Sequence, residues 1–378
     1  MGSELSLRRL NRATLDRQGL LDRHRGTIPD VISGLAGLQA QHANSPYVAL
    51  WARRHGQTIA NLESALTQRT VVKATIMRAT LHLVSADDFF ALDRATAEAR
   101  VAVWRPTAKK VDIDLLDLNA ALRGFCNEPR MVAEMNEYLD DLAPGAFQGV
   151  EMPNGVLNSG FRMASAGGGL VHVPPSGLWK SHGKPRYIDA RIWLDGDPQP
   201  ELTEAMVTTI ERYLSGYGPA TEQDIMKWAG LRRVTDVRKA VAALGDSIIT
   251  HVGPDGTDYL DLADAAIPDE DIETPPRFLA RWDSVLIGYK DRARILPDVY
   301  KDAVIKKNGD FLPTFLIDGL VAGLWSVETV DDEAVLSLAP FSEVTKGVRT
   351  ALEVEGEDLA RYLEPEAANY DVVWTSAP

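Results

Sequence analysis

The sequence predicts an α+β fold in which short helices and β-hairpins alternate and a β-rich region follows near the C-terminus. Three observations support this prediction. Residues 218–262 have the order helix, turn, helix and hairpin. Residues 7–84 place four short amphipathic helices before a hairpin-like stretch, and several strand-like runs follow residue 276. Helices that close on a β-hairpin are typical of a winged helix-turn-helix, so the sequence predicts tandem copies of that unit.

The clearest pattern of this kind lies in residues 218–262. Capping and turn residues separate two runs of helical periodicity, and a Gly-Pro-Asp-Gly turn separates two apolar strands. The expected elements are a helix over Glu222–Ala229 capped by Thr221, a turn at Gly230, a helix over Val234–Leu244, and a hairpin formed by Ile248–Val252 and Tyr259–Leu262.

The pattern of residues 7–84 predicts a first winged-helix unit, in which helices again precede a hairpin. Apolar residues at helical spacing indicate four helices, and the alternation of polar and apolar residues in Ala74–Val84 indicates a strand or hairpin. The expected helices are Leu7–Leu21, a second capped by Thr27 with Pro29 in its first turn, a third over Tyr47–Arg54 capped by Ser45, and a fourth over Ile59–Val71.

A further copy of the pattern is expected between residues 113 and 173. Its predicted elements are helices over Leu115–Phe125, Arg130–Leu142 and Val156–Ser165, followed by a strand over Leu170–Val173. Gly167-Gly168-Gly169 precedes this strand, and we interpret it as a flexible loop because no helix follows it as a phosphate-binding turn would require.

Pro275-Pro276 marks a linker, beyond which the patterns become β-rich. The expected strands are Ser284–Gly288, Phe311–Ile317, Val321–Trp325 and Val335–Ala339, and the expected helices are Thr345–Leu352 and Asp358–Leu363. We therefore divide the chain into winged-helix units at residues 1–110, 111–195 and 196–270 and a C-terminal β-rich domain at residues 271–378.

The composition is that of a globular protein in the cytoplasm. Of its 378 residues, 45% are hydrophobic and 25% are charged, and no apolar run has the length of a membrane span. The single cysteine, Cys126, excludes an internal disulfide and a cysteine-based zinc site.

The net charge of −14 argues against a polyanionic partner, but its distribution does not. Residues 1–110 hold 16 Lys and Arg against 9 Asp and Glu, whereas Ser326–Pro378 hold 3 against 12. Because salt screens distant charges, the local potential decides nucleic-acid binding, and a basic N-terminal third is compatible with it. A solvated surface of uneven charge is the alternative interpretation.

Two glutamines form the main candidate for a catalytic site. Gln39 and Gln41 lie two residues apart where a predicted helix ends, and in extended backbone they would share a face. An amide has no useful pKa, so such a pair can orient a water or a substrate but cannot take a proton. The alternative interpretation is that the two amides cap a helix end.

The sequence lacks the residues that metal-dependent, nucleotide-dependent and serine-hydrolase catalysis require. The seven histidines are scattered without ligand spacing, and there is no Gly-x-x-x-x-Gly-Lys loop and no Gly-x-Ser-x-Gly elbow. We therefore expect neither a metal nor another cofactor.

Basic and aromatic residues suggest a DNA-binding surface, because cations contact phosphates and aromatic rings stack on bases. For each of them a surface or core role is the alternative, and Trp51 and Trp104 are expected in the core. The candidates are Arg53, Arg54, His55, Arg78, His82, Lys109, Lys110, Trp179, Lys180, Lys184, Arg186, Arg238 and Lys239.

Several blocks of the sequence resemble the AlkZ/YcaQ-type winged-helix DNA glycosylases. They are Leu7–Arg12, Gly37–Gln41, Pro46–Arg53, Met77–Val84 and Asp318–Trp325. The resemblance spans nearly the whole chain and implies tandem winged helices with a C-terminal β-barrel-like domain around a concave, C-shaped DNA-binding surface. It also implies a catalytic Gln-hydrophobic-Gln motif, which Gln39, Ala40 and Gln41 fill here as in the AlkZ branch.

The resemblance implies excision of bulky N-alkylated purines from double-stranded DNA, in DNA repair or in self-resistance to a DNA-alkylating antibiotic. Alkylation at N7 makes the purine cationic and therefore a good leaving group, so positioning and dipoles suffice. We expect a monomeric, monofunctional glycosylase that acts at the nucleoid and leaves an abasic site. Whether it releases cross-linked bases, and whether it flips the base, stays open.

Two other functions compete with a glycosylase. A transcription regulator could read the major groove with Val234–Leu244, but it would not explain Gln39 and Gln41 or the acidic remainder of the chain. A family member without catalysis could bind damaged DNA only. A defined operator footprint would favour the first, and binding without base release would favour the second.

Overall fold

The computed structural model describes residues 4–148, 159–181 and 183–376. Its helices are α1 (Leu7–Arg17), α2 (Ile28–Gly34), α3 (Ser45–Arg53), α4 (Ile59–Thr67), α5 (Ala86–Lys110), α6 (Leu115–Phe125), α7 (Val132–Leu142), α8 (Ser159–Ala164), α9 (Ala190–Trp193), α10 (Leu202–Tyr217), α11 (Glu222–Ala229), α12 (Val234–Leu244), α13 (Ser284–Ile287), α14 (Lys301–Val304) and α15 (Lys346–Leu363). Its strands are β1 (Leu38–Gln39), β2 (Val71–Thr75), β3 (Leu81–Ser85), β4 (Arg130–Met131), β5 (Leu170–Val173), β6 (Arg186–Asp189), β7 (Ile248–Val252), β8 (Asp258–Leu262), β9 (Arg277–Leu279), β10 (Thr314–Ile317), β11 (Leu320–Val330), β12 (Glu333–Pro340) and β13 (Asn369–Trp374).

The N-terminal helices begin where capping side chains satisfy their first amides. The side chain of Thr27 accepts a hydrogen bond from Asp30 N and starts α2, as predicted. The expected cap at Ser45 is wrong by one residue, since Asn44 is the N-cap of α3 and its side chain makes no capping bond. Helices α1 and α4 end earlier than predicted, at Arg17 and Thr67.

The predicted hairpin of the first unit is present as β2 and β3, which pair antiparallel with Ala74 opposite His82. A 3₁₀ turn over Met77–Ala79 joins them, and Arg78 in this turn is left-handed with φ +53°. The hairpin belongs to a six-stranded sheet of order β1-β3-β2-β5-β6-β4. This sheet joins strands from two of the units that the sequence predicts.

The unit over residues 218–262 forms as predicted. The Thr221 side chain accepts a hydrogen bond from Asp224 N, while the Asp224 carboxylate accepts one from Thr221 N, so these two backbone amides at the start of α11 are satisfied. Gly230 ends α11 in the left-handed conformation, with φ +75°. Strands β7 and β8 then pair with Ile248 opposite Leu262.

The region between residues 113 and 173 largely follows the prediction. Helix α6 and strand β5 have the predicted bounds, and α7 begins two residues later than expected because β4 precedes it. Helix α8 overlaps the predicted Val156–Ser165, whose first three residues lie outside the described part of the chain. The 25-residue α5, which the sequence analysis missed, packs against α10 and buries Trp104 in the core as expected.

The C-terminal region is β-rich, with four corrections to the prediction. Ser284–Gly288 is helical as α13 because Asp283 caps it, its Oδ1 accepting a hydrogen bond from Val285 N at 3.0 Å. Helix α15 is continuous where two helices were expected, and the missed β13 pairs parallel to β12. In the described residues the sheet has the open order β13-β12-β11-β10-β9, which corrects the expectation of a barrel.

The apolar cores combine residues from distant parts of the chain. One contains Val72 of β2, Phe89 of α5 and Trp228 of α11, and another contains Tyr47 of α3 with Phe315 of β10. The overall architecture is mixed α and β, which confirms the predicted fold class. The division into four units at the stated boundaries stays a prediction. In the part of the chain that the structure describes, no helix is long and apolar enough to cross a membrane.

Gly230→Ala is expected to destabilise the protein by more than Gly56→Ala. Both glycines have positive φ, a conformation that costs L-residues about 1–2 kcal/mol. A Cβ at Gly230 would also lie 2.9 Å from Arg78 N, whereas a Cβ at Gly56 would meet nothing within 4 Å. Urea unfolding of the two variants measures the difference, and equal losses of unfolding free energy would show that the contact with Arg78 is unimportant.

Candidate functional site

Gln39 lies in β1 at the edge of the six-stranded sheet and is 4% exposed. Its position is set by the register of β1, which pairs Gln39 with His82 of β3. The backbone N–H of Gln39 donates to Ser284 Oγ at 2.9 Å, which attaches this strand to the start of α13. The predicted extended backbone at this residue is therefore present.

Gln41 follows β1 and is exposed to solvent. Its Oε1 accepts a hydrogen bond from Leu81 N at 3.2 Å, and Ala40 N donates to Leu81 O at 2.8 Å. The side-chain carbonyls of Gln39 and Gln41 are therefore both bonded by the segment of residues 78–81. One glutamine is buried and the other is open to a ligand.

Arg78 holds the carbonyl of Gln39. Its Nη2 donates to Gln39 Oε1 at 2.8 Å, and its Nη1 donates to the backbone carbonyl of Trp228 at the end of α11. Burial lowers the pKa of Arg78 to about 10, so the guanidinium stays protonated at neutral pH. Thr80 Oγ1 approaches the same Gln39 oxygen at 3.5 Å.

His82 completes this cluster as a neutral ring. Its Nδ1 lies 2.9 Å from the carbonyl of Thr80, and its Nε2 lies 3.1 Å from Arg78 Nη2. Since both neighbours have fixed roles, Nδ1 donates and Nε2 accepts. Burial and the charge of Arg78 lower the pKa of His82 to about 3. The glutamine pair is thus surrounded by dipoles and one cation, an arrangement that can orient a ligand and stabilise charge.

The structure brings Gln39, Gln41, Arg78 and His82 together, although Arg78 and His82 were predicted as DNA contacts. His82 is 2% exposed and bonded at both ring nitrogens, which removes it from the DNA-contact set in this structure. Arg78 is partly buried and directed at Gln39. Positioning of Gln39 is the role that its contacts support.

Arg53 is a second correction, because its side chain is fully buried. Its guanidinium pairs with both carboxylate oxygens of Asp283, at 2.9 and 2.6 Å, and also bonds Gln18 Oε1. A phosphate cannot reach this group, so Arg53 joins α3 to the start of α13. Its neighbours Arg54 and His55 are half-buried, with Arg54 Nε bonded to Gly26 O and His55 paired with Asp22 at 3.1 Å.

The remaining predicted DNA contacts stay predictions and fall on separate surfaces. Trp179 lies 5.1 Å from Tyr47, centroid to centroid, and its backbone N–H bonds Glu63, while Lys180 pairs with Glu364 at 2.8 Å. The other candidates are exposed side chains at the end of α5, in and before β6, and on α12, where Arg238 pairs with Glu222 at 2.9 Å. These are Lys109, Lys110, Lys184, Arg186, Arg238 and Lys239.

Sequence reasoning missed the residues that orient Gln39. Ser284, Thr80 and Trp228 contribute one hydroxyl or carbonyl each, and such groups have no sequence signature of their own. The one available signal was Arg78 itself, an arginine within a predicted hairpin. Among the described residues, no group of three or more His, Cys, Asp or Glu side chains could hold a metal ion.

Comparisons with known proteins agree on one group of relatives. The family described as "DNA glycosylase AlkZ-like" matches residues 32–362. The curated interstrand DNA cross-link repair glycosylase of Streptomyces sahachiroi is 27% identical over 363 residues, covering 92% of this chain and 94% of that protein. The solved structure of S. sahachiroi DNA glycosylase AlkZ is similar with a TM-score of 0.80 at 22% identity, covering 98% of this chain and 100% of that one. The structural likeness shows a shared fold.

Arg53→Met is expected to lower the free energy of unfolding by about 3–5 kcal/mol, because it leaves the Asp283 carboxylate buried without its cation. Arg105→Met is the matched control, since the Arg105–Glu98 pair is exposed and should contribute at most about 1 kcal/mol. Urea denaturation of both variants tests this. A loss at Arg53 as small as the loss at Arg105 would contradict a structural role for the buried pair.

Proposed function

The chain belongs to the AlkZ-like DNA glycosylase family, and from this premise we propose that it hydrolyses the N-glycosidic bond of cationic N7-alkylated purines in double-stranded DNA. The observation that carries the proposal is the pair of glutamine carbonyls, both bonded by residues 78–81. Such groups suit a substrate whose base already leaves readily. The curated relative is named for the repair of interstrand cross-links, and we extend that role to this chain.

The proposed reaction needs little acid or base catalysis. As the bond from C1′ to the purine breaks, its electron pair neutralises the positive charge of the alkylated base, which leaves as a neutral molecule. Positive charge then develops on the sugar, and water adds to C1′ and loses a proton to solvent. Carbonyl dipoles can stabilise the sugar charge and orient the water. Gln39 and Gln41 are the proposed source of those dipoles.

The observed hydrogen bonds leave both carbonyls capacity for this task. A carbonyl oxygen has two lone pairs, and Arg78 bonds Gln39 Oε1 at 2.8 Å while Leu81 N bonds Gln41 Oε1 at 3.2 Å. Thr80 Oγ1, the other donor near Gln39 Oε1, lies closer to Met77 O, at 3.1 Å against 3.5 Å, and has a single proton to donate. The second lone pair of each glutamine oxygen can therefore accept from water or face the sugar. Because Gln41 is exposed and Gln39 is held by Arg78, we assign substrate contact first to Gln41 and a fixed orientation to Gln39.

The position of the buried lysine supports a monofunctional enzyme. Lys73 is 9% exposed, and burial lowers its pKa, which are properties that a Schiff-base lysine needs. The sheet register, however, places Gln39, His82 and Ala74 on one face and Lys73 with Leu83 on the other. Lys73 therefore lies across the sheet from the proposed site, and the product is expected to be an intact abasic strand.

The double variant Gln39→Ala, Gln41→Ala is expected to release free base from N7-methylguanine DNA at least about a hundredfold more slowly, because both dipoles are lost. Binding to the same duplex should change by less than threefold. Gln68→Ala, which removes an exposed glutamine of α4's C-cap, is the matched control and should keep full activity.

Release that is unchanged in the double variant would contradict the catalytic assignment. No release by the unmodified protein, with binding retained, would favour the non-catalytic DNA-binding function. Alkali treatment of the product DNA distinguishes an abasic site from a strand cut by the enzyme.

Arg78→Lys is expected to lower kcat about tenfold or more with little change in affinity for DNA. Lysine keeps the charge but cannot bond Gln39 Oε1 and Trp228 O with a planar fork. Lys239→Ala is the comparison, since an exposed phosphate contact should lower affinity and its salt dependence without changing kcat. Reduced affinity with normal kcat in Arg78→Lys would instead make Arg78 a DNA contact.

A further inference from the structure

A cavity of about 500 Å³ lies between the starts of α1 and α11, strand β8 and the segment of residues 290–301. Thr221 and Gln223 line it at the start of α11, and Tyr259 lines it from β8, so it belongs to the helix-turn-helix and hairpin of residues 218–262. Cationic residues of the described chain also line this cavity. They are Lys290, Arg292, Arg294 and Lys301.

None of these cationic side chains forms an ion pair with a residue that the structure describes. Three carboxylates line the same cavity, but hydrogen bonds from the backbone occupy two of them. Asp224 accepts from Thr221 N and Lys290 N, at 3.0 and 2.8 Å. Asp291 Oδ1 accepts from Ala293 N at 2.9 Å, and the third, Asp298, is exposed. Cations that lack carboxylate partners in a concave wall attract an anionic ligand.

Arg294 gives the cavity a fixed positive charge. It is 3% exposed, and its Nη1 donates to Pro219 O at 2.8 Å. Its guanidinium carbon lies 4.2 Å from the ring centroid of Tyr289 and 5.5 Å from that of Tyr259. A carbonyl and two ring faces hold the guanidinium in place without neutralising its charge. Because a buried charge is costly unless it is paired, an anion in the cavity would complete this environment.

Arg292 connects the cavity to the proposed site. Its Nε donates to Leu286 O at 2.7 Å, and its two Nη atoms have no hydrogen-bond partner in the described chain. Ser284, on the same short helix α13, accepts from Gln39 N at 2.9 Å. The atoms that anchor Arg292 and Gln39 therefore lie within about one helical turn of each other. Burial and the charge of Arg292 lower the pKa of Arg78, so the two guanidiniums interact.

We propose that this cavity binds a backbone phosphate of the DNA strand that carries the damaged base. The inference rests on the proposed function. Arg292 has two unbonded Nη atoms that can bond phosphate oxygens as a fork, and Arg294 adds its fixed charge behind them. Lys290 and Lys301 are exposed, and their charges attract the strand. A phosphate held here fixes the position of the strand relative to the glutamines without reading its sequence.

The length of α11 indicates which phosphate is bound. The cavity lies at the start of this eight-residue helix, and Arg78 bonds Trp228 near its end. Eight residues span about 12 Å at 1.5 Å per residue. Successive phosphates of one strand are about 3.4 Å apart along the duplex axis. The bound phosphate is therefore expected within about four nucleotides of the damaged base.

The test neutralises single phosphates. Duplexes carry 2′-fluoro-N7-methylguanosine, whose fluorine destabilises the sugar cation and prevents base release. Each also carries one uncharged methylphosphonate, placed in turn at each of about four positions on both sides of the damaged nucleotide. The unmodified protein should bind one or two of these duplexes about tenfold more weakly than the all-phosphate duplex. Arg292→Met should bind the all-phosphate duplex about tenfold more weakly, with no further loss at those positions, because the contact is already missing.

Lys346→Met is the control, since Lys346 is an exposed lysine at the start of α15 outside the cavity, and it should keep the unmodified pattern. Lys301→Met provides a second variant in case Arg292→Met does not fold by circular dichroism. Lys301 is exposed, and its loss should reduce the slope of log Kd against log salt concentration by about 0.9.

Further losses at the sensitive positions in Arg292→Met, or no sensitive position in the unmodified protein, would overturn the inference while leaving the proposed function intact. Pyrophosphate at constant ionic strength separates a free phosphate ligand from DNA. Binding of pyrophosphate that Arg292→Met abolishes, without any sensitive position in the duplex, would assign the cavity to a free ligand and also overturn the inference. Release of N7-methylguanine from the cleavable duplex is measured separately, and its absence would overturn the proposed function.

Discussion

The arrangement of the proposed site depends on where the Arg78 guanidinium is held. It joins Gln39 of β1 to the carbonyl of Trp228, two groups that are 189 residues apart in the chain. Arg78 makes these hydrogen bonds from a left-handed backbone, a conformation that costs non-glycine residues of order 1–3 kcal/mol. Gly230, which ends α11, leaves room for that backbone because it has no Cβ. Residues of α11 and the turn that follows it thus support the proposed site, which lies in a distant part of the sequence.

Ion pairs explain part of the uneven charge distribution. Arginines of the basic N-terminal third pair with acidic residues of the second half of the chain. Carboxylates of the same molecule therefore balance their positive charge. The pairs are Arg12–Asp318, Arg17–Asp261, Arg23–Glu355 and Arg53–Asp283, with N–O distances of 2.5–2.9 Å. An excess of basic residues in one segment therefore reflects both intramolecular pairing and the cations that remain exposed.

The sequence predicted the elements whose signals are local. The cap at Thr221 and the turn at Gly230 placed α11 and α12 to the residue. The catalytic role of Gln39 and Gln41, which the spacing and the family motif suggested, stays a prediction. Contacts between distant segments could not be predicted in this way. Arg53 has the same charge whether it faces solvent or Asp283, and a tertiary contact decided its burial. Ser284–Ile287 is apolar and short enough to suit a strand, and the local cap at Asp283, which the sequence analysis missed, makes it a helix.

The continuous six-stranded sheet constrains how the protein can be divided. A fragment ending at residue 110 would leave the edge of β2 without β5, exposing unpaired backbone groups and apolar side chains such as Val72. Such an edge is a template for intermolecular pairing. The segment that carries the glutamines obtains sheet neighbours and part of its core from the rest of the chain. Isolating that segment, or exchanging it alone between relatives, would therefore disrupt the sheet and the core.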